Sequence, residues 1–237
     1  MPFVLLSACG GDAEYCNGAN EAAVMGAVLS LLQEYLQVSG LRAEVCPVPC
    51  AMAASAANRQ RADFLLTLRS NAGQGRGIEV CHHPASEKSR RAAALMQENL
   101  QQVYIDAQRV KRLPAPQLPE FHMAKCPCAQ LRLGDRGDPE DAQWMLQCTG
   151  VIAHALAKAL TAWFGVPCQS PFSQREAQVR APSGSLALRR APRAGAQLLR
   201  PLPNGAQLLL LHREGDWQYV EFEGTCGYVL RKFLKAG

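Results

Sequence analysis

The sequence predicts two units in series: an α/β domain with a mostly parallel sheet and helices on both faces, then a small all-β barrel. Three observations lead there. Apolar runs of strand length alternate with helix-periodic segments as far as residue 164, the pattern of strands joined by helical crossovers. The stretch 166–181 then turns rich in Pro, Gln and Ser, as linkers are. Beyond it, short strand-like runs are punctuated by Pro203-Asn204-Gly205, Glu214-Gly215-Asp216 and Glu223-Gly224, the turn chemistry of compact β modules. The expected boundaries are 1–165, a linker at 166–181, and 182–237.

Each element has its own warrant. The apolar run 3–7 reads as a buried strand. A Gly/Asn-rich loop leads to a helix over 20–38, where Met25, Val28, Leu29, Leu32 and Leu36 repeat at helical spacing. Asn20 is placed to cap it and Gly40 to end it. Strands follow at 41–45, 63–68 and 78–81, with an Ala-rich helix at 51–61. Ser86 caps a helix over 86–104, and a further strand lies within 125–133. Asp138-Pro139-Glu140-Asp141 opens a last helix, expected to run to 164. In the β module the strands are expected at 186–189, 197–202, 207–212, 217–222 and 226–230.

Composition narrows the function classes. Of 237 residues 48% are hydrophobic and 19% charged, which describes a folded globular chain. No apolar run reaches the ~20 residues of a membrane span. Nine basic and four acidic side chains fall in 178–237, so this segment carries the whole net charge of +5. Such a module suits a polyanionic partner. The ten cysteines form no regular framework, and most are expected to be free, reduced thiols. Cys46, Cys50, Cys126 and Cys128 form the two close pairs from which a structural metal site would be built. Leu6-Ser7-Ala8-Cys9 has the outline of a lipobox, but no basic residue precedes it, so a strand is expected instead of a signal.

Two resemblances add to this reading. Leu186-x-Leu188-Arg189, Leu202-Pro203-x-Gly205, Gly215-x-Trp217-x-x-Val220 and Gly227-Tyr228-Val229 resemble bacterial SH3 domains. That resemblance implies wall binding, with Trp217 and Tyr228 placed on the binding face and a place in the barrel core as the alternative for Trp217. Asn17-Gly18-Ala19-Asn20-Glu21, Ala62-Asp63 before Ser70-Asn71-Ala72, Gly77-Ile78-Glu79-Val80, Cys126-Pro127 and Pro139-Glu140-Asp141-Ala142-x-Trp144 together resemble the zinc-dependent N-acetylmuramoyl-L-alanine amidases over residues 2–165. The implied partner is peptidoglycan or another anionic wall polymer. A nucleic-acid partner is not expected, because no aromatic residues are interleaved with the basic ones. The sequence names no location, and cytoplasmic until release and wall-associated both stay open.

The resemblance also implies a zinc ion held by His, Glu and His, with a glutamate as general base. Of these, Glu21 is present. The first His position falls at 9–11, where Cys9 is the metal-capable side chain. The second falls at Arg69, and the catalytic Glu position at Arg132. Arginine neither ligates zinc nor acts as a base. The expectation is therefore a degenerate centre without cofactor, with Arg69 and Arg132 turned toward Glu21 as an ion-pair cluster. The alternative is an active amidase with a rearranged zinc site drawn from Cys9, Glu21 and His82 or His83.

Overall fold

The computed structural model describes residues 1–236 except Gly10, Asp12, Pro47, Pro49, Gln74, Ser173 and Gln174. The described chain divides into Met1–Gln169 and Ser170–Gly237.

The first unit runs β1 (Phe3–Ala8), α1 (Glu21–Val38), β2 (Arg42–Val45), α2 (Cys50–Gln60), β3 (Phe64–Asn71), β4 (Ile78–His82), α3 (Glu87–Val103), β5 (Val110–Pro114), α4 (Pro119–Met123), β6 (Cys128–Asp135), α5 (Pro139–Gln147) and α6 (Thr149–Phe164). Its sheet has the order β2-β1-β3-β6-β4-β5. β1, β2, β3 and β6 are mutually parallel, β4 is antiparallel to β6, and β5 is parallel to β4. The expectation of a mostly parallel sheet holds with this one reversal. It has a simple cause: residues 72–77 are too few to carry the chain back for a parallel return.

Side-chain alternation sorts the faces. Phe3, Leu5, Leu65, Cys81 and Cys128 pack with Ala53, Ala54, Ala56 and Ala57 of α2 and Phe121 of α4. On the other face α1, α3 and α6 pack together, and Phe64 meets Trp163 edge-on at 5.1 Å. The helix stops are as the sequence implies. The Asn20 side chain accepts from Ala23 N, and Gly40 takes φ +83° just past the end of α1. Ser86 caps α3, and Asp138 accepts from the amides of Glu140 and Asp141.

Two expectations are corrected. The helix 138–164 is two helices, because Cys148 leaves helical geometry (φ −117°, ψ 23°) between α5 and α6. β5 and α4 went unseen, since Val110-Lys111-Arg112-Leu113-Pro114 is an edge strand with charges outward and proline at its end.

The second unit is a seven-stranded antiparallel sheet. It contains β7 (Arg175–Val179), β8 (Ser185–Arg189), β9 (Leu198–Pro203), β10 (Gln207–Glu214), β11 (Trp217–Phe222), β12 (Thr225–Leu230) and β13 (Leu234–Ala236), in the order β13-β7-β10-β11-β12-β8-β9. All five expected strands are present. Val179, Leu186, Leu188, Leu202, Leu208, Val220 and Val229 form its core. The segment 166–181, read as linker, instead contributes β7, whose Leu208-facing Ala177 is buried. Among the described residues no helix is long and apolar enough to cross a membrane.

Candidate functional site

Glu21 opens α1, where the helix dipole favours a carboxylate. It is 2% exposed. Its Oε1 accepts from both Ser70 N and Ser70 Oγ at 2.6 Å, and its Oε2 lies 3.3 Å from Arg136 Nη1. Three segments meet here: Arg136 N donates to Asn71 O at the end of β3, and Arg136 O accepts from Cys16 N before α1. Tyr15 is buried alongside, and burial together with the Glu21 charge pushes its phenol well above its ordinary range.

The guanidinium paired with Glu21 is thus Arg136, not Arg69 or Arg132. The expected Arg69–Arg132–Glu21 cluster is corrected on this point. Arg132 Nη1 binds Glu79 Oε2 at 2.9 Å, and Arg132 Nε reaches Gln130 Oε1 at 3.3 Å. The register explains it: Glu79 stands directly opposite Arg132 across the β4–β6 pair. Arg69 stands opposite Arg132 on the other side and contacts the Ser70 carbonyl at 3.4 Å.

Among the described residues the donor set does not fit zinc. A catalytic zinc needs about three protein ligands around one open position. Glu21 is already surrounded by two Ser70 donors and a guanidinium. Arg69 and Arg132 carry permanent cations. Cys9 is disulfide-bonded, which removes it as a thiolate ligand. Gly10, within the expected first-ligand position, lies outside the described residues. His82 and His83 are also misplaced. β4 runs backwards relative to β6, so His82 is level with Ala129, three residues from the Arg132 level, or roughly 10 Å along the strand. His83 instead meets His122 edge-on at 5.4 Å. Among the described residues no group of three His, Cys, Asp or Glu side chains is gathered for a metal. Cys46 and Cys126 pack on the same apolar cluster as Cys128, and burial raises the Cys126 thiol to about 11 and Cys128 to about 12. The Cys50 side chain lies outside the described residues.

In the second unit Trp217 is half-buried. Tyr228 is not: it is fully buried, with its ring 5.1 Å from that of its cross-strand neighbour Tyr219. The placement of Tyr228 on a binding face is corrected. Register puts it on the face of β11 and β12 that also carries Tyr219 and Trp217, opposite Val220 and Val229 of the core, and its full burial there removes it from an exposed surface.

Sequence reasoning found Glu21 but missed Arg136, Ser70 and Tyr15. Arg136 lies in the turn Gly134-Asp135-Arg136-Gly137 beside a cap, where a charged residue reads as solvated. Ser70 sat inside the quoted Ser70-Asn71-Ala72 without a role.

No protein-family model matches the sequence, and no curated protein sequence does. Solved structures do match. The N-acetylmuramyl-L-alanine amidase Ami1 of Mycobacterium smegmatis aligns with TM-score 0.60 at 16% identity, over 69% of this chain and 97% of that chain. The amidase AmiC2 of Nostoc punctiforme gives 0.60 at 15%, over 69% and 97%. The catalytic domain of the CD27L endolysin, which targets Clostridia difficile, gives 0.60 at 16%, over 68% and 98%. At such identities the likeness speaks for architecture, and the larger, α/β part of this chain has the fold of the N-acetylmuramoyl-L-alanine amidases.

Proposed function

We propose that this is a peptidoglycan-directed protein on an amidase scaffold that binds the wall without cutting it. The observation that carries this is the state of the centre. Glu21 is saturated by Ser70 and Arg136, and the general-base position holds Arg132, bound to Glu79. Ser70 is fully buried, so its hydroxyl is no accessible nucleophile. The second unit serves as the wall-binding module. Its motifs resemble bacterial SH3 domains, it carries the net positive charge, and Trp217 is its contact aromatic.

Purified protein should sediment with isolated sacculi, release no stem peptide, and contain no stoichiometric zinc. An active amidase with a rearranged zinc site is the other reading, favoured by the fold alone. Chelator-sensitive release of peptide from glycan would establish that reading and overturn the first.

A further inference from the structure

The α2/α4 face of the first sheet changes character row by row. Leu5, Leu65 and Cys128 are in register and lie under α2 and α4. The next row is Ser7, Thr67, Gln130 and Cys81. The row after is Arg69, Arg132 and Glu79. Residues in register on neighbouring strands share a face and stand ~4.8 Å apart, so Arg69 and Arg132 are neighbouring residues at the carboxyl ends of β3 and β6. Cys81, one row below, feels both cations, while burial dominates and raises its thiol to about 11.

The donors on this row exceed the acceptors. Arg132 uses Nη1 on Glu79 and Nε on Gln130. Arg69 uses Nε on a carbonyl and forms no ion pair among the described residues. Both terminal nitrogens of Arg69 and Nη2 of Arg132 are left without protein acceptors among the described residues. The other nearby carboxylate, Glu120 of α4, is buried and accepts from the Gln130 amide. Both arginines are partly exposed. Two forks carried at one level of adjacent strands, one of them without an ion pair among the described residues, suit a planar acceptor with two oxygens.

We infer that Arg69 and Arg132 form a seat for a single carboxylate of a peptide ligand, Arg69 gripping it and Arg132 fixing its orientation from the Glu79 pair. A wall peptide carries such carboxylates, so the identity of the natural ligand rests on the wall-directed reading above. The seat turns the positions of a zinc ligand and a base into a recognition device, which binds without bond cleavage.

The test is calorimetric titration of the full chain at low salt with acetyl-alanyl-alanine, its carboxamide, and inorganic phosphate. Saturable 1:1 binding of the acid, with the carboxamide at least tenfold weaker, is expected. R69Q should weaken the acid at least tenfold with an unchanged circular-dichroism spectrum. R69K, which keeps the charge but loses the fork, should fall between. R91Q, on the exposed side of α3, should bind as the parent does. R132Q releases Glu79 and risks the fold, so R69Q and R69K decide. Equal binding of acid and carboxamide, tighter binding of phosphate than of the acid, or an R69Q chain that binds normally each overturns the seat. No binding of the acid while the same protein still sediments with sacculi overturns the seat and leaves the wall-directed reading standing.

Discussion

At the residue scale the centre is governed by what surrounds one buried carboxylate. Glu21 has no water to fall back on, so each donor lost leaves an acceptor uncompensated. R136M should lower stability by about 1.5–3 kcal/mol, the cost of a hydrogen bond to a charged group. R69Q should be nearly neutral, since Arg69 has only a carbonyl contact. Urea unfolding of both variants checks this, and equal losses would contradict the assignment of Arg136 as the Glu21 partner. The thiols offer a second residue-scale prediction. Cys16 is exposed, whereas Cys81 and Cys128 are buried with thiols raised to about 11 and about 12. Alkylation at pH 8 should label Cys16 in the native protein and reach Cys81 and Cys128 only on unfolding, as mass spectrometry of the digests will read. The carboxylate was legible in the sequence because the amidase resemblance implies a Glu at the start of this helix, and Glu21 stands there beside the capping Asn20. The arginine that neutralises it was not, because Arg136 is brought in by the turn after β6, 115 residues away.

At the element scale α6 is the hub of its face, packed against both α1 and α3. His154 lies within it, stacked on Tyr35 of α1 at 5.2 Å. Burial, with Lys158 adding a smaller push, lowers its pKa from 6.5 to about 4. The folded protein therefore keeps this imidazole neutral where the unfolded chain protonates it. Stability conferred by the buried neutral ring is present above pH 6.5, is lost as pH falls from there, and levels off near pH 4. Between pH 7 and 5 the protein should lose about 2 kcal/mol through this group, and H154Q should lose correspondingly less. Chemical denaturation of both proteins at the two pH values checks it. Elements with strong local signals were legible: α1, α3 and the start of α5 each carry a side-chain cap and an apolar stripe. The reversal of β4 was not, because β3 runs on to Asn71, past the expected end at 68, and it is this extension that leaves too few residues for a parallel return.

At the scale of the whole molecule the chain divides its labour by charge. The first unit is electrically balanced, and the excess of +5 lies in 178–237. The existence of a second unit was legible from turn spacing. Its true start was not, because β7 pairs with β10 and β13 far along the sequence and leaves no local signature. If the second unit holds a polyanionic wall, attraction must weaken as salt shortens the screening length from ~10 Å at about 0.1 M to ~3 Å at about 1 M. Sedimentation of the full chain with sacculi should therefore fall steeply with added sodium chloride. W217A removes aromatic contact area without altering charge, so it should lower binding at every salt concentration while leaving the salt slope unchanged. R213Q, an exposed cation on β10, should do the reverse, flattening the slope with little effect at high salt. A wall association indifferent to salt, or a W217A chain that changes the slope, would place the binding surface elsewhere in the protein.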